Sequence, residues 1–122
     1  MISAKFYFDE AEAIRAFDFS GHAGYGDHGS DIVCAAVSAI GQTVIGTLDE
    51  LLLDMPKYDI DPRSGRISIE IKDYERYTEK EKMAIATLMF SCLVGVKQLL
   101  PNYGEYIEIE KLGYSEGEYV KS

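Results

Sequence analysis

The chain has 122 residues, a net charge of −9 and a pI of about 4.6. This length predicts a single domain over residues 1–122, and the acidic balance excludes the basic surface that direct nucleic-acid binding needs. We expect no membrane association, because no apolar run has the length and purity of a membrane span. The segment MISAKFYFDE also lacks the regions of a secretory signal. Two cysteines without such a signal predict reduced thiols and a cytoplasmic protein.

The first elements are predicted as two strands and a long helix. Alternating apolar residues indicate a strand over Ile2 to Asp9, and Ala13 to Phe19 is a plausible second strand of the same hairpin. A glycine-rich segment follows. Residues Ile32 to about Asp54 are dense in apolar residues and contain no proline, which predicts one well-buried helix. Gly41 and Gly46 are small enough to permit close approach of another element.

The second half predicts another hairpin, a helix and a last strand. Tyr58 to Asp61 and Ile67 to Lys72 flank a proline-to-glycine turn, and the second of these strands shows one apolar face. Thr78 and Glu81 form a capping box that begins a second helix. Tyr106 to Leu112 alternates as a strand. The order ββαββαβ predicts an α+β domain, a two-layer sandwich with two long helices on one mostly antiparallel sheet.

One segment carries the candidate chemistry. Residues 21–38 read GHAGYGDHGSDIVCAAVS, in which His22 precedes Cys34 by twelve positions across a loop with three glycines. We predict that Cys34 lies in the first turn of the long helix, where unpaired N–H groups and the helix dipole favour the reactive thiolate. An imidazole near such a thiol completes a minimal set for nucleophilic catalysis. We therefore predict that Cys34 is a nucleophile and that His22 is its base.

Other interpretations of the same residues stay open. Free cysteines are commonly buried, and Cys92, inside the second apolar helix, is interpreted as core filler. His28 is a second candidate base, but a loop would hold it less firmly than a strand end. Asp31 suits a helix cap better than the orientation of an imidazole. Ser38, one turn beyond Cys34, is either a site residue or a packing residue.

A metal site is a weaker alternative. His22, His28, Asp31 and Cys34 offer zinc-type ligands, but no paired motif anchors them. We therefore expect neither a metal nor a cofactor.

The segment GHAGYGDHGSDIVCAAVSAI resembles the ribosomal-processing cysteine proteases called Prp, the YsxB-like family. The resemblance implies that Cys34 is the nucleophile and His22 the general base, with Gly21, Asp31 and Ser38 in support. It further implies that loop 23–30 closes over bound peptide. That loop contains Gly24, Tyr25, Gly26, His28 and Gly29.

The resemblance also implies a substrate and a partner. Members of this family remove a short N-terminal leader from the twenty-seventh protein of the large ribosomal subunit, cutting after an aromatic residue, and they are homodimers. An acidic surface would favour such a basic substrate. The alternative is a non-enzymatic acidic module that binds ribosomal proteins, in which Cys34 only packs.

Overall fold

A computed structural model describes residues 1–21, 28–61 and 63–116, with residues 28–31 described by their backbone alone. The principal elements are β1 (Ile2–Phe8), β2 (Ile14–Ser20), α1 (His28–Leu51), β3 (Lys57–Asp61), β4 (Arg66–Glu70), α2 (Glu79–Lys97), α3 (Leu100–Tyr103) and β5 (Ile107–Gly113). Short 3₁₀ turns at Tyr74–Arg76 and Gly104–Tyr106 precede α2 and β5. The predicted order of strands and long helices is confirmed.

The five strands form one sheet in the order β3-β4-β2-β1-β5. β5 runs parallel to β1, and every other pairing is antiparallel. The predicted α+β class with a mostly antiparallel sheet is therefore confirmed. β3 lies at one edge, and β4 is its one partner among the described strands.

Both long helices cover one face of this sheet. α1 contacts β4 and α2 contacts β2, which encloses a core around the rings of Phe6, Phe17 and Phe19. The Phe17 and Phe19 rings stack with centroids 4.7 Å apart, and the Phe6 ring meets that of Phe19 edge-on at 5.5 Å. Burial of these aromatic side chains supplies a large share of the hydrophobic stabilisation.

The opposite face of the sheet differs from the prediction. The apolar alternation of β4 predicts one buried face, yet Asp18, Ser68 and Glu70 are also buried. Arg66 donates to both carboxylate oxygens of Asp18, over 3.2 and 3.0 Å, and the Tyr114 hydroxyl donates to Glu70 over 2.7 Å. Buried carboxylates need such partners because desolvation penalises their charge. The alternation alone does not show that long side chains cover this face.

The helix termini follow local signals to different degrees. The capping box of α2 is present, because the Thr78 hydroxyl accepts from the Glu81 amide and the Glu81 carboxylate accepts from the Thr78 amide. α1 ends at Leu51 rather than Asp54. It also begins at His28, four residues before the predicted Ile32. The backbone of residues 28–30 is therefore helical, where the sequence predicts loop.

Two helical stretches differ from the expectation that no apolar run has the length and purity of a membrane span. Residues 32–51 and 79–106 each contain an 18-residue window that is apolar enough to cross a membrane by length and composition, with mean hydropathies of 1.5 and 1.8. Each of these stretches contributes to the core instead, through residues such as Leu48 and Met89. Core helices of globular proteins commonly have this length and composition.

Candidate active site

A cleft of about 350 Å³ lies between α1 and the β3–β4 hairpin. One turn of helix separates each of Cys34, Ser38 and Gln42, so all three line its α1 wall. The hairpin contributes the remaining lining residues, Ile60, Asp61, Gly65 and Ile67. Cys34 is half-buried, and it packs against the core while it borders the cleft. The thiol is therefore held on a rigid element at the wall of a cavity that can receive a ligand.

A glycine brings α1 close to the sheet. A methyl group on Gly41 would lie 3.1 Å from Cγ2 of Ile67 and 3.2 Å from the Phe19 ring. The predicted close approach is thus confirmed at Gly41. It is wrong at Gly46, where no described atom beyond the local helix backbone lies within 4 Å of the position that a methyl group would take. The close contact at Gly41 sets how far the helix face that carries Cys34 lies from the β3–β4 hairpin.

The hairpin wall carries a carboxylate held by its own turn. The Asp61 carboxylate accepts from the Arg63 amide over 3.0 Å and from the Ser64 hydroxyl over 3.0 Å. The amide hydrogen bond, followed by that of the hydroxyl, lowers the pKa of Asp61 below its ordinary value. This carboxylate is therefore ionised at neutral pH. Its hydrogen bonds also shape the turn that ends β3.

The position of Cys34 in its helix corrects one prediction. Cys34 is the seventh residue of α1, so it lies in the second turn rather than the first. Its amide is not among the first four, which are the ones without a partner inside the helix. Asp31 likewise lies inside α1, which excludes its predicted N-cap role. The shift arises because α1 takes up residues that the glycine-rich composition assigns to the loop.

Gly21 has a structural reason to be glycine. It follows β2 with φ of +100°, and a methyl group there would lie 2.5 Å from the Met1 carbonyl oxygen. Any other residue would be strained at this φ and would collide with the backbone of Met1. Gly21 therefore sets the path of the chain into the candidate segment.

The remaining predicted site residues fall outside the described part of the chain. His22, Gly24, Tyr25 and Gly26 are not described, nor are the side chains of His28 and Asp31. Of His28, Gly29 and Asp31, the structure describes only the helical backbone. The roles of all these residues stay predictions.

Cys92 is core filler, as predicted. Its side chain has no exposed surface, and burial raises the pKa of its thiol to about 12. The two free cysteines thus occupy unlike environments, since Cys34 is half-buried at the cleft.

Most of the residues that line the cleft were not predicted from the sequence. Gln42 could have been found, because it lies two turns beyond Cys34 on the same helix face. Ile60, Asp61 and Gly65 come from a hairpin that is distant in sequence, so no local pattern indicates them.

Two larger depressions lie at the other end of the sheet. Both include Asp9, with volumes of about 480 and 660 Å³. Among the residues described as lining them are several carboxylates but no cysteine, serine or histidine. The smaller cleft at Cys34 is therefore the better candidate for an active site.

Solved structures with the same fold combine the two helices and five-stranded sheet described above. The essential ribosomal processing protease Prp from S. aureus, in complex with a substrate peptide, superposes with a TM-score of 0.76 at 21% identity, covering 91% of this chain and 99% of the other. The complex of the same S. aureus protease with a covalently linked product peptide superposes with a TM-score of 0.73 at 23% identity, and the two coverages are again 91% and 99%. SMU.848 from Streptococcus mutans superposes with a TM-score of 0.77 at 27% identity, covering 93% of this chain and 96% of the other.

The sequence itself decides the family. None of the curated proteins compared with the chain matches it. Residues 1–108 match the family described as cysteine protease Prp. The chain belongs to this family, and it is a cysteine protease.

Proposed function

We propose that this protease removes the N-terminal leader of a ribosomal protein, the twenty-seventh of the large subunit, and so supports ribosome assembly. The observation that carries the proposal is the family match together with the half-buried Cys34 at the wall of the cleft. The S. aureus relatives described as ribosomal processing proteases, with substrate and product peptides, support the same class of substrate. The net charge of −9 suits a basic ribosomal protein.

In the proposed mechanism, His22 takes the proton from the Cys34 thiol. The Cys34 sulfur attacks the carbonyl carbon of the scissile peptide bond and forms a tetrahedral intermediate. Collapse of this intermediate breaks the C–N bond, and the amine leaves with the proton that His22 returns. Water then hydrolyses the thioester, with His22 again as base, and releases the carboxylate and the free thiol. Gly21 positions the chain before His22.

Asp31 and Ser38 support the reacting pair in this proposal. Ser38 borders the cleft one turn from Cys34, where its hydroxyl can donate to a bound peptide. We assign no role in oxyanion binding to the Cys34 amide, because an amide in the second turn bonds within the helix. Segment 23–30 would close over the peptide before cleavage, and its last three residues are the first three of α1.

The test combines the purified protein with the leader-bearing ribosomal protein and measures the products by mass spectrometry. We expect one cut that releases the leader, complete loss of cutting in Cys34→Ala, and unchanged cutting in Cys92→Ala. A leader that stays intact while the two proteins bind each other would instead favour the non-enzymatic acidic module. Cutting that persists in Cys34→Ala would remove the assigned nucleophile.

We also propose that two copies of the chain form a homodimer through the outer face of α2. Met83, Phe90 and Val94 recur along one side of that helix and are 70%, 60% and 38% exposed. Thr87, between them, adds no charge. Two copies that each carry a net charge of −9 repel each other over most of their surface, so an uncharged apolar stripe is the surface best suited to a dimer interface.

The dimer is tested by sedimentation of single-charge variants. Phe90→Asp should give monomers, because it places a charge in the centre of the interface. Leu53→Asp is the matched control, since Leu53 is 99% exposed and lies in the turn after α1. A Phe90→Asp protein that stays dimeric would exclude this surface.

We place the reaction in the cytoplasm. Both cysteines are free thiols, as a reducing compartment would keep them.

A further inference from the structure

Among the strands that the structure describes, β3 is an edge strand, and none of them pairs with its outer side. It pairs with β4 on one side, and it is the last strand in the sheet order. Its residues 57–59 are exposed, whereas Ile60 and Asp61 are half-buried beside the cleft. Edge strands present backbone donors and acceptors that a further extended segment can use.

The hydrogen-bond pattern shows which residues present these groups. The Ile71 amide donates to the Arg15 carbonyl over 2.7 Å, which directs the odd-numbered residues of this segment toward β2. The even-numbered residues of β4 therefore bond to β3, and their partners are Lys57, Asp59 and Asp61. The amides and carbonyls of Tyr58 and Ile60 consequently point away from the sheet.

The same edge forms one wall of the cleft. Ile60 lines the cavity together with Cys34 and Ser38 of α1. A residue that pairs directly with Ile60 would direct its side chain to the same face as Ile60, since paired residues share a face of the sheet. That side chain would enter the cleft beside the Cys34 sulfur.

We propose that the substrate binds as an extended segment that adds a strand to the free edge of β3. Its backbone pairs with Tyr58 and Ile60, and an apolar side chain opposite Ile60 enters the cleft of about 350 Å³. That side chain would displace part of the water that the cleft holds. This inference rests on the proposed peptidase function and names how its substrate is held.

Strand addition restricts which chains can be cut. A folded helix or a compact loop cannot present a run of free amides, whereas an extended terminal segment can. Backbone pairing fixes the register of the substrate on β3, because a slip of one residue would turn its side chains to the other face of the sheet. The scissile bond is thereby held at a fixed position relative to Cys34. Recognition thus combines main-chain pairing with one side chain in the cleft.

The test is a backbone scan of a synthetic peptide that covers the leader junction of the ribosomal protein. Each peptide carries a single N-methylated amide, which removes one donor, and kcat/KM is measured with the wild-type protein. We expect losses of about 2- to 10-fold at alternate positions and little change between them. A period of two shows strand pairing, and losses without that period would overturn the inference.

A second measurement separates this inference from the function on which it rests. Amide hydrogen exchange of Cys34→Ala is followed with the unmodified peptide present. Slower exchange of the Tyr58 and Ile60 amides, with unchanged exchange in the opposite edge strand β5, supports the pairing. This result would hold even if the wild-type protein cuts nothing. If the peptide is cut while exchange at Tyr58 and Ile60 is unchanged, the peptidase assignment stands and strand addition is rejected.

Discussion

Alkylation of the two cysteines measures the environments that the fold gives them. We expect iodoacetamide to modify Cys34 rapidly in the folded protein and Cys92 hardly at all. Cys34 is half-buried beside a cleft, whereas Cys92 has no exposed surface and packs inside the core. Only the thiolate reacts, so the pKa and the accessibility of each thiol decide its rate.

The expected slowing of Cys92 follows from its pKa. Burial raises that pKa to about 12, so at pH 7.5 only about one Cys92 thiol in 30,000 is ionised. A free cysteine with a pKa of about 8.5 is ionised in about one molecule in ten. The thiolate population alone therefore slows Cys92 by about 3,000-fold relative to free cysteine, and steric exclusion slows it further. Because the pKa is raised, the rate should climb about tenfold for each pH unit between 8 and 10.

The assay is peptide mapping by mass spectrometry after timed exposure to the reagent at several pH values. Denatured protein is the control, in which both cysteines should react alike. Similar rates for Cys34 and Cys92 in the folded protein would refute the assignment of Cys92 to a dry core. Zinc retained in stoichiometric amount on purification would instead favour the metal alternative.

The stabilities of five variants can be compared by urea denaturation followed by circular dichroism. Gly46→Ala should raise the free energy of unfolding by about 0.5–1 kcal/mol, because the site is open and helical. Gly41→Ala should lower it by about 1–3 kcal/mol, since its methyl group meets sheet side chains at 3.1–3.2 Å; the same sign for both variants would contradict this account. Thr78→Ala should cost about 1 kcal/mol through loss of the α2 cap, and an unchanged midpoint would show that the cap contributes nothing. Leu48→Ala, in the core, should lower the free energy of unfolding by about 2–5 kcal/mol. Leu53→Ala, at an exposed position, should lower it by at most about 0.5 kcal/mol. Equal losses in the two variants would refute the placement of Leu48 in the core.

Local signals predicted the secondary-structure elements and the family well. The alternation in β1 and the Thr78 capping box involve neighbours two or three positions apart, so each is legible in the chain itself. The pattern around Cys34 is equally local, and it led to the cysteine protease family that residues 1–108 confirm. The start of α1 at His28 was missed because glycines in the preceding segment weaken the helix signal.

The second buried face of the sheet was beyond such reasoning. Glu70 reads as an exposed position in an alternating strand, yet Tyr114, which is 44 residues away, donates to it. Asp18 is covered in the same way by Arg66, which is 48 residues away. A pattern of period two reports which residues share a face, but not what covers that face.

The sequence by itself determined that this protein is a two-layer α+β cysteine protease with Cys34 as its candidate nucleophile, since both conclusions depend on short-range pattern and motif. Only the tertiary structure placed Ser38 and Gln42 opposite Ile60 and Asp61 and put the edge of β3 beside the thiol. The physical reason is that the cleft forms between α1 and the β3–β4 hairpin, and α1 packs closely on the sheet at Gly41, beside the lining residue Ile67. That contact depends on side chains from segments far apart in the chain, so no local pattern encodes it.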